Sequence, residues 1–260
     1  MYNHSNLAFV EDNYKFFEEK LSRKQKRKAK KKGVNIGLTL KNIEPKTKNQ
    51  SRMFEDYKQG NHLLLQGLAG TGKTFISLYL ALQEALSNFS HKQKIVIVRS
   101  VVPTRDMGFL PGNQKEKMKA YEQPYYNIFT ELFGRGDAYE TLKSRGVVEF
   151  ISTSFIRGIT LNDSIVIVDE CQNMDWGELD SIMTRIGDNC RIVFCGDFRQ
   201  TDLHRYKQRT GLIDFIKIVR GLPLFKTISF NEDDIVRSEL VKSYIMAKID
   251  HAIYLSLIHI

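Results

Sequence analysis

Between residues 60 and 200 the apolar positions fall into short uninterrupted runs, separated by longer stretches with helical spacing. Leu63-Leu64-Leu65, Ile95-Val96-Ile97-Val98 and Ile165-Val166-Ile167-Val168 have no alternate polar residue, the pattern of strands covered by helices on both faces. Strands are predicted at His62–Gln66, Lys94–Arg99, Val147–Ile151, Ser164–Val168 and Arg191–Cys195, with helices over Lys73–Ser87 and near Asp175–Ile186. Strand and helix alternate, so the expected fold class is α/β with a mainly parallel central sheet. Ligands of such sheets bind beyond the carboxyl ends of the strands, and the residues that follow each strand are where chemistry is to be sought.

After the first of these strands, Gly67-Leu68-Ala69-Gly70-Thr71-Gly72-Lys73-Thr74 fits the pattern G-x-x-x-x-G-K-[ST] without a mismatch. Its glycines let backbone N–H groups turn inward toward phosphate oxygens, and the helix that starts near Lys73 adds its positive dipole end. Lys73 is expected to reach the β and γ phosphates of ATP, and Thr74 to hold Mg2+. The strand that ends at Val168 is followed by Asp169 and Glu170. Asp169 suits the metal, and Glu170 suits the positioning and deprotonation of an attacking water. The next strand ends in Gly196-Asp197-Phe198-Arg199-Gln200. There the Gln200 amide can donate to the γ phosphate and accept from the water, as a sensor. The competing account is a turn in which Asp197 caps a helix.

The 42% hydrophobic content of this 260-residue chain agrees with a folded globule, while its net charge of +9 is unevenly placed. Arg23, Lys24, Lys26, Arg27, Lys28, Lys30, Lys31 and Lys32 lie in one run; removing these eight from 39 basic residues leaves 31 against 30 acidic ones. The run is either a binder of phosphate backbones or a solvated tail. Residues 1–47 read as an appendage that carries it, and 48–253 as the catalytic domain. Leu255-Ser256-Leu257-Ile258-His259-Ile260 resembles a translated sequencing-adaptor end, a native apolar tail being the alternative. No 18 consecutive apolar residues occur and the first 19 residues are polar, so no membrane association and a cytoplasmic location are expected. Cys171, Cys190 and Cys195 contain no C-x-x-C pair and read as small buried hydrophobes. The segment from Val101 to Phe133 opens with Pro103, Gly108, Pro111 and Gly112 and then turns helical, carrying Phe109, Tyr121, Tyr125, Tyr126 and Phe129. Those aromatics either stack bases or, the favoured reading, pack a small helical insertion.

These motifs together resemble the PhoH-like ATPases, a branch of the RecA-type P-loop proteins whose phosphate loop and acid pair are close to those of superfamily 1 helicases. The resemblance adds Gly108-Phe109-Leu110-Pro111-Gly112, Arg157 to Asp163, Thr184-Arg185-Ile186-Gly187, Gly196 to Leu203 and Asp234-Ile235-Val236-Arg237, and covers about 200 residues. Cys171 stands where relatives commonly carry alanine, a small-for-small change. A three-layer RecA-like fold is implied, with Gln50 on the adenine edge and Gln172 beside Glu170, touching the γ phosphate or water. An arginine on the transferring phosphoryl group is also needed. Arg237, Arg157 and Arg185 are the candidates, in cis or from a neighbouring subunit. A helicase needs two RecA-type domains and this chain has room for one. The implied activity is therefore Mg-dependent ATP hydrolysis by a homo-oligomer, a hexamer by analogy, coupled to RNA or single-stranded DNA. The alternative is a nucleotide-gated adaptor with slow turnover that recruits a partner such as a nuclease. Phosphoryl transfer to a small molecule is disfavoured by the water-activating Glu170. Phe75 to Leu82 resembles bacteriophage members, and a phage or bacterial source is expected.

Overall fold

A computed structural model describes residues 37–87, 90–101, 114–197 and 206–258, with side chains for all of these but 114–117, 206–210 and 252–258. The basic run, the Gly108–Gly112 motif and Phe198 to Leu203, Gln200 included, lie outside the described residues. Along the chain come α1 (Lys48–Lys58), β1 (His62–Gly67), α2 (Lys73–Ala85), β2 (Lys94–Arg99), α3 (Gln114–Phe133), α4 (Ala138–Ser144) and β3 (Val148–Ser152). They are followed by β4 (Ser164–Asp169), α5 (Trp176–Met183), β5 (Arg191–Gly196), α6 (Tyr206–Gly221), β6 (Phe225–Phe230) and α7 (Glu239–Ile258). The five expected strands are present to within a residue or so at each end. The sixth, β6, had no forecast.

All six strands are parallel, in the order β3-β2-β4-β5-β1-β6. Each apolar run sends alternate residues to opposite faces. Leu63, Leu65, Ile95, Ile97, Ile165 and Ile167 meet α1 to α4 through Met53, Tyr57, Leu78, Tyr79, Phe129 and Tyr139. Leu64, Val96, Val98, Val166 and Val168 meet α5 and α6 through Leu179, Ile182, Leu212, Phe215 and Val219. The sheet is thus sandwiched between two helical layers, which is why its inner strands do not alternate with polar residues. Each fully buried Leu, Ile or Val side chain contributes about 2 kcal/mol relative to exposure.

Local signals fix where the helices begin. Thr47 caps α1, its side chain accepting from Gln50 N. Asp175 and Glu178 form a reciprocal capping box at α5. The Glu178 carboxylate also accepts from Ser100 Oγ at 3.0 Å and Thr153 Oγ1 at 2.5 Å, fastening the ends of β2 and β3 to α5. The helical insertion is packed into the core, with Tyr125 and Phe129 fully buried and Tyr121 and Tyr126 partly so. Cys171 and Cys195 are buried free thiols, and Cys190 is partly buried. Burial pushes the Cys195 thiol up to about 12.

Candidate phosphate-binding site

The glycine loop joins β1 to α2 at the carboxyl edge of the sheet. At Gly67, with φ +130°, a Cβ would lie 2.0 Å from the carbonyl oxygen of Phe230 on β6, so a side chain there has no room. Gly72, with φ +84°, is the N-cap of α2, a left-handed position that glycine takes without penalty. The loop is braced from both sides. Thr71 Oγ1 donates to Leu68 O at 2.9 Å, and the Gln50 amide donates to Thr71 O at 3.0 Å while accepting from Lys46 N at 2.7 Å. Gln50 is buried in this arrangement.

Lys73 curls into the loop, its Nζ donating to the carbonyls of Gly67 at 2.8 Å and Leu68 at 2.7 Å and to Thr71 Oγ1 at 3.3 Å. Burial pulls its pKa below the ordinary lysine value, opposed by the Cys195 thiol and by the carboxylates of Asp197, Glu170 and Asp169. These groups lie close enough to act on Lys73, in one cluster at the carboxyl edge of the sheet. In it the Thr74 hydroxyl donates to Asp169 Oδ1 at 2.7 Å, joining the last residue of the loop to the last residue of β4.

Asp169 is buried, and its second oxygen accepts from the Tyr125 hydroxyl at 2.9 Å. Desolvation and the Glu170 charge push its pKa up, and the Thr74 hydroxyl, the Arg99 guanidinium and the Tyr125 hydroxyl hold it down. Glu170 adopts φ 52°, ψ 40°, a left-handed conformation that costs a non-glycine residue roughly 1 kcal/mol. The bend starts a short 3-10 turn, Cys171–Asn173. From it Gln172 donates to Glu170 Oε2 at 2.5 Å and accepts from Asp197 N at 3.1 Å. One amide therefore ties the second acid to the end of β5.

Of the three candidate arginines, Arg237 packs on the loop. A Cβ on Gly70 would lie 2.9 Å from its Cγ, and Val236 N donates to Gly70 O at 3.1 Å. That segment is anchored by Asp234, which accepts from Thr47 Oγ1 at 2.5 Å, Asn49 Nδ2 at 2.7 Å and Asn231 N at 2.9 Å. Arg157 is exposed beyond the turn that follows β3, and Arg185 follows α5, its carbonyl accepting from Leu161 N at 2.8 Å.

Gly67 to Thr74, Gln50, Asp169, Glu170, Gln172 and Arg237 therefore gather at one edge of the sheet. Tyr125 was noted only as an aromatic of the insertion, since no spacing rule links a helix residue to an acid 44 positions later. A buried hydroxyl's need for a partner was the available signal. The residues fit a magnesium triphosphate: a hydroxyl and a carboxylate are hard oxygen donors, and an ammonium lies in a glycine loop. Among the described residues no group of three or more His, Cys, Asp or Glu is placed to hold a metal ion. No helix among them is long and apolar enough to cross a membrane.

A parallel sheet with a G-x-x-x-x-G-K-T loop after one strand and an acid pair after another defines the chain as a P-loop NTPase of the α/β class. Residues 42–248 match the family described as PhoH-like protein, and the chain belongs to that family. It is 34% identical over 208 residues to the PhoH-like protein of Bacillus subtilis, covering 80% of this chain and 64% of that protein. It is 32% identical over 206 residues to the PhoH-like protein of Synechocystis, covering 79% and 62%. The chain thus spans slightly less than two thirds of the length of these curated relatives. Among solved structures it is similar to the Hef helicase domain of Pyrococcus furiosus, at 14% identity and a TM-score of 0.40, covering 71% of this chain and 38% of that one.

Proposed function

We propose that this protein binds Mg-ATP at the loop and hydrolyses it, and that as a homo-oligomer it couples turnover to RNA or single-stranded DNA. The observation that carries the reading is the Thr74–Asp169 hydrogen bond, which brings the two metal-binding candidates together beside Lys73 and Glu170. In this reading Lys73 leaves the Gly67 and Leu68 carbonyls for the β and γ phosphates, an exchange of one set of oxygens for another of higher charge. Glu170, held by Gln172, accepts the proton of the attacking water. Arg237, beside Gly70, supplies positive charge to the transferring group in cis, and Gln200 reads the γ phosphate. An adenine contact by Gln50 would use its second amide hydrogen. Magnesium, held through Thr74 and Asp169, would neutralise charge on the phosphate oxygens.

The test is phosphate release with and without single-stranded RNA, alongside the mass in solution. Turnover is expected to rise with RNA and to drop by at least about 100-fold in Lys73→Ala and Glu170→Gln, the scale of lost transition-state electrostatics and base catalysis. Turnover unaffected by either substitution removes the site. A monomer indifferent to RNA and DNA removes the coupling.

A further inference from the structure

The Asp169 carboxylate is held at both oxygens, and the two holds come from unrelated parts of the fold. Thr74 belongs to the phosphate loop, whereas Tyr125 belongs to the helical insertion between β2 and β3. The phenol ring is fully buried, 5.8 Å from the Phe150 ring of β3. Near the hydroxyl stands Arg99, the last residue of β2 and the Cα partner of Asp169 in the sheet. The charge of that guanidinium bears on the hydroxyl, which donates to Asp169 at 2.9 Å. Pro124, immediately before Tyr125, removes one amide from the α3 ladder.

A buried carboxylate fixed at one oxygen can rotate about its Cβ–Cγ bond, and one fixed at both cannot. Its orientation decides which lone pairs face the Thr74 hydroxyl and the space beside Lys73. We propose that Tyr125 is the positioning residue for the metal-binding carboxylate, so that the seating of the helical insertion sets how tightly the nucleotide site takes its divalent cation. The inference rests on the nucleotide-site reading above and adds a residue and an element that no motif contains. Tyr125 does not touch the nucleotide; it acts through Asp169. Partners of this kind typically govern metal affinity by 10- to 100-fold.

The experiment measures binding of a fluorescent ADP while Mg2+ is varied, and again in EDTA, so no turnover is needed. Tyr125→Phe keeps the ring and its packing on Phe150 and removes only the hydroxyl. About a tenfold rise in the Mg2+ needed for half-maximal tight binding is expected, with unchanged affinity in EDTA. Tyr139→Phe is the comparison: Tyr139 is equally buried in the same insertion, but its hydroxyl donates to Glu122 at 2.8 Å, away from Asp169. Its Mg2+ requirement is expected to stay at the wild-type value. Equal shifts in the two variants, or no shift in Tyr125→Phe, overturn the proposal. Hydrogen exchange on the wild type provides a second reading that needs no substitution. Mg-ADP should protect amides of α3 more than ADP in EDTA does, and equal protection overturns the proposal. A wild type that binds no nucleotide overturns the site reading itself, whereas one that binds with a Mg2+ dependence indifferent to Tyr125 overturns only this inference.

Discussion

Single residues at the two ends of the sheet perform opposite tasks. At the carboxyl end Lys73, Asp169 and Glu170 crowd like and unlike charges into one crevice. At the amino end charge is neutralised, with Glu84 taking Arg191 at 2.8 Å, the Tyr57 hydroxyl at 2.8 Å and Lys92 at 3.4 Å. His62 sits beside this cluster and accepts from Ile192 N at 3.1 Å, which requires its Nδ1 to be unprotonated. Desolvation first, then Arg191 and Lys92, lower its pKa below 6.5. The unfolded chain therefore binds a proton that the fold refuses, and stability is lost as pH falls from the ordinary histidine value through the folded one. Urea midpoints at pH 7.5 and 5.5 check this. His62→Gln, which keeps an acceptor but cannot charge, is expected to lose less stability between those two values than the wild type. The motif residues of the crevice were legible because each follows a strand in a known pattern, and Gln172 was placed beside Glu170 by resemblance. His62 was not legible, because its role depends on a partner 130 residues away.

Among the elements, α1 and the stretch from Asn231 to Arg237 behave as one brace. Asp234 joins them, is 2% exposed and satisfies three donors. Asp234→Ala would strand the Thr47 hydroxyl, the Asn49 amide and the Asn231 N–H together. The expected loss is about 3 kcal/mol in urea unfolding, given that one unsatisfied buried group costs about 1–3 kcal/mol. Because Val236 N also donates to Gly70 O, nucleotide binding should weaken in the same variant. Four of the five forecast strands, β1, β2, β4 and β5, are inner strands with continuous apolar runs, and the edge strand β3 still carries Val148, Phe150 and Ile151 around Glu149. β6, at the opposite edge, was not readable, since it presents Lys226 and Ser229 outward among Phe225, Ile228 and Phe230. An edge strand covered on fewer sides carries a weaker apolar signature. The insertion announced its helix and its aromatics, but the acid on which Tyr125 converges is a matter of tertiary placement.

Across the whole molecule the charge is lopsided, because without the eight residues of the basic run the chain is nearly neutral. If RNA is the coupled ligand, that run is the natural source of its salt-dependent affinity. Neutralising all eight to glutamine is expected to lower RNA affinity and flatten its dependence on salt, by up to about 0.7 in logarithmic slope for each phosphate no longer paired with a cation. ATP turnover without RNA should be unchanged. RNA affinity measured from 50 to 300 mM KCl, against basal phosphate release, provides the check. The strand order carries a last consequence. β5 stands between β1 and β4, so the loop and the acid pair spring from strands two spacings apart, about 10 Å. The intervening strand ends in Gly196, which has no side chain to extend between them. The spacing between the loop and the acids is thus a by-product of topology, and a sheet that set those two strands side by side would have halved it.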